Sequence, residues 1–311
     1  MTNVVNLITG GSGFLGSHLS ESLIRKGEKV ICLDNFFTGR KKSIKHLLDN
    51  SNFELIRHDV TEPIKLDEVH KIWHLACPAS PIHYQSNPIK TSKTSFLGTY
   101  NFLGLAKRTG AKFLLASTSE VYGDPEINPQ IETYRGSVNT VGVRSCYDEG
   151  KRIAETLCAD YHRIHNVDVR IMRIFNTYGP RMQFDDGRVI SNFVYQALNN
   201  KKITIYGDGS QTRSFCYVDD LIKGMILLME SNYVQPINIG NPNQFSIKEI
   251  AELVKDLINP DLELTYKKLP EDDPQKRQPS IKKANQILNW HPEIELKEGL
   301  LKTIEWFKAN L

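Results

Sequence analysis

Cysteine is scarce in this chain. There are five in 311 residues, Cys32, Cys77, Cys146, Cys158 and Cys216, scattered, odd in number and without a CxxC pair. That pattern excludes a disulfide framework and gives a zinc knuckle no support, since His74 and Cys77 alone fall short of a ligand set. The sequence also lacks any uncharged run near membrane-spanning length, any repeat, and any segment rich in proline or in glycine and serine. A bilayer span, a solenoid and a disordered tail are therefore not expected. Charge of one sign is equally short, because a formal net charge of +3 does not make the concentrated basic face that nucleic acid requires. The opening MTNVVNLITGG has neither a basic n-region nor an apolar signal core, so a cytoplasmic chain is expected.

What is present reads as a folded chain, with 40% apolar and 24% charged residues. Domains usually run to roughly 100–200 residues, so two closely packed lobes are expected. The first half alternates short β-branched runs with amphipathic stretches: VVNLIT, FLGSHLSESLIRKG, KVICLD, FELIRHDV, KIWHLA, a long segment from Ile82 to Thr109, and KFLLAST. This rhythm predicts an α/β fold, a doubly wound parallel sheet of the Rossmann kind. A helix is expected from about Tyr147 to His165, followed by a strand at DVRIMRIFN. After Asn176 the elements become short and mixed, and SIKE at Ser246 has the capping-box form of a helix start. The expected lobes are residues 1–176 with about 214–240 for a dinucleotide, and about 177–213 with 241–311 as a smaller mixed α/β lobe for substrate.

TGGSGFLG follows the first strand, with Gly10, Gly13 and Gly16 spaced as G-x-x-G-x-x-G and Phe14 and Leu15 opening a helix. With no Cβ in the way, the backbone can approach a pyrophosphate while the helix N–H groups and dipole point at it. Asp34, followed by Asn35, ends the second strand at the distance expected of a ribose-binding acid. It would accept hydrogen bonds from a 2′-hydroxyl and repel a 2′-phosphate, favouring NAD over NADP, with Arg40 as the counter-signal. Asp59 and Val60, then Leu75 and Ala76, end the next strands and could line the crevice; plain packing accounts for the apolar members equally well.

SCYDEGK places Tyr147 and Lys151 at i and i+4, on one face of the expected helix. A free phenol titrates at about 10 and is a poor base. An ammonium about 4 Å away, at an effective dielectric of about 20, would favour the phenolate by roughly 4 kcal/mol before desolvation is counted. That could lower the phenol by up to about three pH units. Upstream, Ser117 and Thr118 bring hydroxyls to a strand end, and Glu120 follows at once. An unpaired carboxylate in an apolar crevice would cost several kcal/mol, and the sequence names no partner for it.

Gly10, Gly13, Gly16, Asp34, Thr118, Tyr147 and Lys151 together resemble the extended short-chain dehydrogenase/reductase family that acts on nucleotide sugars. Within it, STSEVYGDP, RSCYDEGKR, RIFNTYGPRM, DDGRVISNF, IYGDGSQTRSF and DDPQKRQPSI look like the UDP-glucuronic acid decarboxylases. The resemblance implies tightly held NAD and a redox-neutral cycle on UDP-glucuronic acid. In that cycle Tyr147 takes the 4-OH proton as C4 is oxidised, the 4-ketone lets the C6 carboxylate leave as carbon dioxide, and protonation at C5 with re-reduction at C4 gives UDP-xylose. Thr118 would hydrogen-bond the reacting oxygen, and Lys151 would hold the nicotinamide ribose. Glu120 would lie near C5 and C6, where it could disfavour the ground-state carboxylate, order a water, or help protonate C5.

By the same resemblance, Ser117 and Arg188 fall on the cofactor side. Ser119, Asn176, Arg181, Asn192, Tyr206, Gln211, Arg213 and Arg277 fall on the nucleotide-sugar side. Arg277 suits phosphate or carboxylate by bidentate pairing, and Tyr206 either packs on uracil or merely fills a turn. Ser280 and Arg135 depart from the family's usual Asp and Trp. A UDP-sugar 4-epimerase, a nucleotide-sugar dehydratase and a non-catalytic sensor are the rival readings. Glu120 with Arg277, Ser119, and the complete Thr118/Tyr147/Lys151 set count against them in turn. Segments 82–109 and 147–165 are the expected helix bundle of a homodimer. No metal, nucleic acid or membrane partner is expected.

Overall fold

Six strands, β1 (Val5–Thr9), β2 (Lys29–Asp34), β3 (Phe53–Arg57), β4 (Lys71–His74), β5 (Lys112–Thr118) and β6 (Val169–Ile174), lie parallel in the order 3-2-1-4-5-6 in this computed structural model. A seventh strand, Ile237–Ile239, pairs in parallel beyond β6. The structure describes residues 4–184, 186–268 and 276–311; Met1 to Asn3, Asp185 of DDGRV and residues 269–275, which hold most of DDPQKR, lie outside the described residues. All five residues of β1 are buried, as a central parallel strand covered on both faces requires.

Helix α1 (Phe14–Arg25) and the helix Val218–Glu230 supply Leu19, Leu23, Leu221 and Met225 to the core on one face. The helices Thr99–Thr109 and Ser145–His165 supply Phe102, Leu103, Ala154 and Cys158 on the other. The strand order reverses between β1 and β4, so the carboxyl ends of these two strands open the crevice where ligands bind in such sheets.

The remaining short strands among the described residues form two parallel pairs, Thr177–Tyr178 with Cys216–Tyr217 and Ile203–Tyr206 with Leu264–Lys267, and a mixed sheet with Thr212–Ser214 between Gln244–Ser246 and Lys276–Arg277. Ser246 caps the helix Ile247–Ile258 through both halves of the capping box, its hydroxyl accepting from Glu249 N–H and its own N–H donating to the Glu249 carboxylate. The segment from Ile82 to Thr109 is not continuous. It divides into Pro81–Ser86 and Pro88–Lys93, then a wider π turn at Thr94–Gly98 before Thr99–Thr109. The break has a local cause, because Pro88 cannot donate a backbone hydrogen bond and Asn87 caps the new helix by accepting from Lys90 N–H. Among the described residues no helix is long and apolar enough to cross a membrane.

Candidate active site

A cleft of about 650 Å³ runs along the carboxyl ends of the strands and reaches across to Tyr206, Arg213 and Arg277 of the small sheets. Every site residue singled out from the sequence lines it except Asp59. The Asp59 carboxylate is instead engaged by Lys90 Nζ at 2.6 Å, Asn35 Nδ2 at 2.9 Å and the Thr61 hydroxyl at 2.7 Å. These partners overcome its burial and hold it below the usual carboxylate range. Asp59 thus fastens Asn35 and Lys90, which do line the cleft, and its expected place on the crevice wall is corrected.

The glycine-loop end is built from backbone. Gly10 has a φ of +69°, and a Cβ on Gly16 would stand 2.2 Å from the Gly10 carbonyl oxygen, so only glycine lets the first turn of α1 close over the loop. The Asp34 carboxylate accepts from Ser12 N–H at 3.0 Å and Phe36 N–H at 2.8 Å. No side chain caps α1, whose N-cap is Gly13, and the Ser12 hydroxyl is buried without a hydrogen-bond partner. Unfilled donors at a helix N-terminus, a buried hydroxyl left over and a fixed carboxylate suit the phosphates and ribose of a dinucleotide. Arg188 lies nearby, 5.6 Å from the Phe14 ring centroid and paired with Asp186.

At the centre, Tyr147 and Lys151 leave the helix Ser145–His165 on its buried face. The Lys151 ammonium lies 5.9 Å from the Tyr147 ring centroid and donates to the Ala116 carbonyl at 2.8 Å. The phenol does not titrate low as the spacing suggested. Burial pushes it up, aided by the neighbouring Cys77, and a hydrogen bond with Thr118 only partly offsets the rise. The expectation of a lowered phenol is therefore corrected for the protein alone: burial outweighs the effect of the cation on the same helix face. Tyr84 stacks flat on Tyr147, with centroids 5.0 Å apart and planes 6° apart, and its own hydroxyl is buried without a partner.

At the far end of the cleft, β5 stops at Thr118 and the chain turns through a 3₁₀ turn, Ser119–Tyr122, whose first N–H groups include that of Glu120, donated to the Thr118 hydroxyl at 3.3 Å. This turn carries Glu120 off the strand and towards the short strand Lys276–Arg277. Its carboxylate meets Arg277 through two parallel hydrogen bonds, at 2.6 and 2.8 Å, and Arg144 at 2.7 Å. Burial alone would raise the Glu120 carboxyl; the two guanidiniums outweigh it and hold the group below the usual range. Ser117, one strand position before Thr118, donates to Glu155 at 2.6 Å and so braces the helix against β5.

The other residues expected on the nucleotide-sugar side also line the cleft. Arg181, with a φ of 67°, pairs with Glu21 of α1. Gln211 donates to the Tyr206 carbonyl at 2.6 Å, Tyr206 itself is 42% exposed, and Arg213 is buried. Ser280 N–H donates to the Gln130 carbonyl at 2.8 Å, so its backbone still anchors the strap that carries Arg277. The Arg135 carbonyl accepts from Arg152 at 2.7 Å. His74 is buried, its Nδ1 2.9 Å from the Thr9 hydroxyl. Among the described residues no three His, Cys, Asp or Glu side chains are grouped to hold a metal ion.

Residues 7–303 match the family model described as GDP-mannose 4,6 dehydratase. The UDP-glucuronic acid decarboxylase 1 of Arabidopsis thaliana is 60% identical over 305 residues, 98% of this chain and 70% of that one. The chain belongs to the UDP-glucuronic acid decarboxylase family. Within this family, UDP-glucuronic acid decarboxylase 1 of Xenopus tropicalis is 55% identical over 98% of this chain and 72% of its own length. A solved structure of UDP-glucuronic acid 4-epimerase from Bacillus cereus, in complex with UDP-glucuronic acid and NAD, matches with a TM-score of 0.90 at 28% identity, covering 99% of this chain and 100% of that one.

Sequence reasoning missed Arg144, Tyr84, Asp148 and Ser12. Asp148 follows Tyr147 on the helix, is buried, and leaves Oδ1 without a partner. Burial and the nearby Glu120 push its carboxyl up to about 7.

Proposed function

We propose that this protein converts UDP-glucuronic acid to UDP-xylose and carbon dioxide, with NAD held at the glycine-loop end of the cleft and the sugar between Tyr147 and Arg277. The observation that carries this reading is the juxtaposition, in one cleft, of the Tyr147–Thr118 hydroxyl pair with a carboxylate ligated by two arginines. Gly10, Gly13, Phe14, Leu15 and Gly16 would hold the pyrophosphate, and Asp34 with Asn35 the ribose. The chemistry supplied by bound NAD is a reversible two-electron oxidation at C4, which makes the C6 carboxylate β to a ketone and gives the departing electrons an acceptor.

Tyr147 would take the C4 hydroxyl proton and later return it. Thr118, already hydrogen-bonded to the phenol, would orient that oxygen. Because burial raises the phenol, its work as a base depends on Lys151, the cation on the same helix face, turning from the Ala116 carbonyl to the occupied site. Glu120 is ionised in this arrangement and has no proton to give. Of its expected roles, disfavouring the ground-state carboxylate and ordering a water for C5 remain. Arg277 suits the C6 carboxylate or the diphosphate by its fork geometry.

The protein would pair with a second copy through the helices from Pro88 to Thr109 and from Ser145 to His165. Ile89, Phe96 and Tyr100 are exposed along the first at 71, 42 and 50%, and Ile153 and Ile164 along the second. Burial of such a stripe is what a dimer supplies.

Incubation with UDP-glucuronic acid in deuterium oxide, without added NAD, tests the reaction. The expected product has lost carbon dioxide and carries one deuterium at C5. Unchanged mass with inverted C4 would make it an epimerase, and no reaction even with NAD supplied would overturn the reading.

A further inference from the structure

Arg144 is an unusual residue for its place. It is the N-cap of the helix Ser145–His165 and makes no capping hydrogen bond with its side chain. A cation there opposes the helix dipole, and caps are ordinarily Ser, Thr, Asp or Asn. Its side chain is 12% exposed and lines the cleft, and its guanidinium is spent on Glu120.

Arg277 is in a different position. Both of its terminal nitrogens are already used by the two Glu120 oxygens. It can turn to a carboxylate on the sugar only by releasing Glu120, and a buried carboxylate so released would be left with a large desolvation penalty unless a second cation stayed with it. Arg144 is that cation, since it holds Oε2 independently of Arg277.

Charge counting gives the same result. Arg144 and Arg277 contribute two positive charges, and Glu120 contributes one negative. Asp148, the other carboxyl among them, is buried with an unpartnered oxygen and is pushed up to about 7, first by burial and then by Glu120. Arg144, Arg277 and Glu120 by themselves are short of one negative charge, and a carboxyl pushed up to about 7 supplies it only in part at neutral pH. A uronic acid brings one; the decarboxylated sugar does not.

We propose that Arg144 is a positioning residue that selects acidic over neutral sugar nucleotides, by retaining Glu120 while Arg277 turns to the carboxylate of the sugar. The inference rests on the reading of the cleft as a site for UDP-glucuronic acid, and names the residue that lets two carboxylates share it.

Calorimetric titration with UDP-glucuronic acid and with UDP-xylose tests it, in a Tyr147→Phe background so that neither nucleotide is consumed. Arg144→Gln should weaken UDP-glucuronic acid by about thirtyfold or more, the loss typical of truncating one partner of a buried charge pair. Binding of UDP-xylose should stay where it was. Arg144→Lys, which keeps the charge, should recover most of the affinity. Adding Glu120→Gln to Arg144→Gln should recover it too, because the released side chain is then neutral.

Equal weakening of both nucleotides, or failure of the double variant to recover UDP-glucuronic acid, would overturn the inference and leave Arg144 a packing residue. The two readings fail separately. A parent enzyme that cannot decarboxylate UDP-glucuronic acid, yet shows this selective loss, sinks the proposed reaction and sustains the selectivity. Turnover with parallel losses does the reverse.

Discussion

The two ends of the cleft are held by different physics. At the glycine loop the contacts are backbone N–H groups, a carbonyl and one fixed carboxylate, all within the β1–α1 loop, the first turn of α1 and the end of β2 with the residues just after it. At the sugar end they are side-chain charges brought from the end of β5, the start of the helix Ser145–His165 and the short strand Lys276–Arg277, so that Glu120 and Arg277 meet across 157 residues of chain. The first end is set by the backbone, with the loop that follows β1 hydrogen-bonded to the carboxylate that ends β2. The second is held by ion pairs among Glu120, Arg144 and Arg277, so one added or removed charge changes what it accepts.

Substitutions can break or sharpen this contrast. The largest effect is expected from Gly16→Val, since the new Cβ would meet the Gly10 carbonyl oxygen at 2.2 Å and the Gly11 Cα at 2.6 Å. The purified variant should carry no NAD by absorbance and high-performance chromatography; retained NAD would show that the loop yields. Arg277→Lys keeps the charge and loses the fork, and should lower kcat/KM by roughly 10- to 100-fold while NAD content is unchanged. A loss of NAD as well would mean that the two ends are not separable.

A smaller effect concerns Asp148, which faces Glu120, Arg144, Arg277 and Glu149. It titrates at about 7 when folded and at about 3.9 when unfolded. Below both values each state holds the proton. Between them only the folded state does, so stability falls as pH rises across that interval and levels off above it. Asp148→Asn has no such proton, so its thermal midpoint should match the parent at acid pH and exceed it increasingly up to neutrality. A constant difference would place the carboxyl's titration elsewhere. The smallest effect on chemistry is expected from Phe96→Glu, which should yield monomers by light scattering with per-site turnover nearly retained; an unchanged oligomeric state would remove the helix stripe as an interface.

Legibility in the sequence follows the same division. The glycine loop, Asp34 and the six strands could be read because each depends on neighbours in the chain, where spacing carries the geometry. Tyr147 and Lys151 could be read as sharing a helix face, but not the burial that raises the phenol or the Ala116 carbonyl that holds the ammonium. Glu120 was conspicuous for want of a partner. Arg277 was expected near the sugar, though not on Glu120, because that pairing depends on how a distant strap docks. Arg144 carried one signal that could have found it: an arginine immediately before a helix N-terminus, where the dipole disfavours it. Asp59 misled because a strand-end acid can brace a wall without standing on it.

None of Glu120, Arg144 and Arg277 lies in a strand of the seven-stranded sheet. A descendant could therefore exchange all three without breaking a rung of the ladder that positions the glycine loop. In lineage terms the oxidation chemistry is inherited with the sheet, while the choice of sugar is carried by detachable parts, and new substrates can be tried without first giving up the old catalyst.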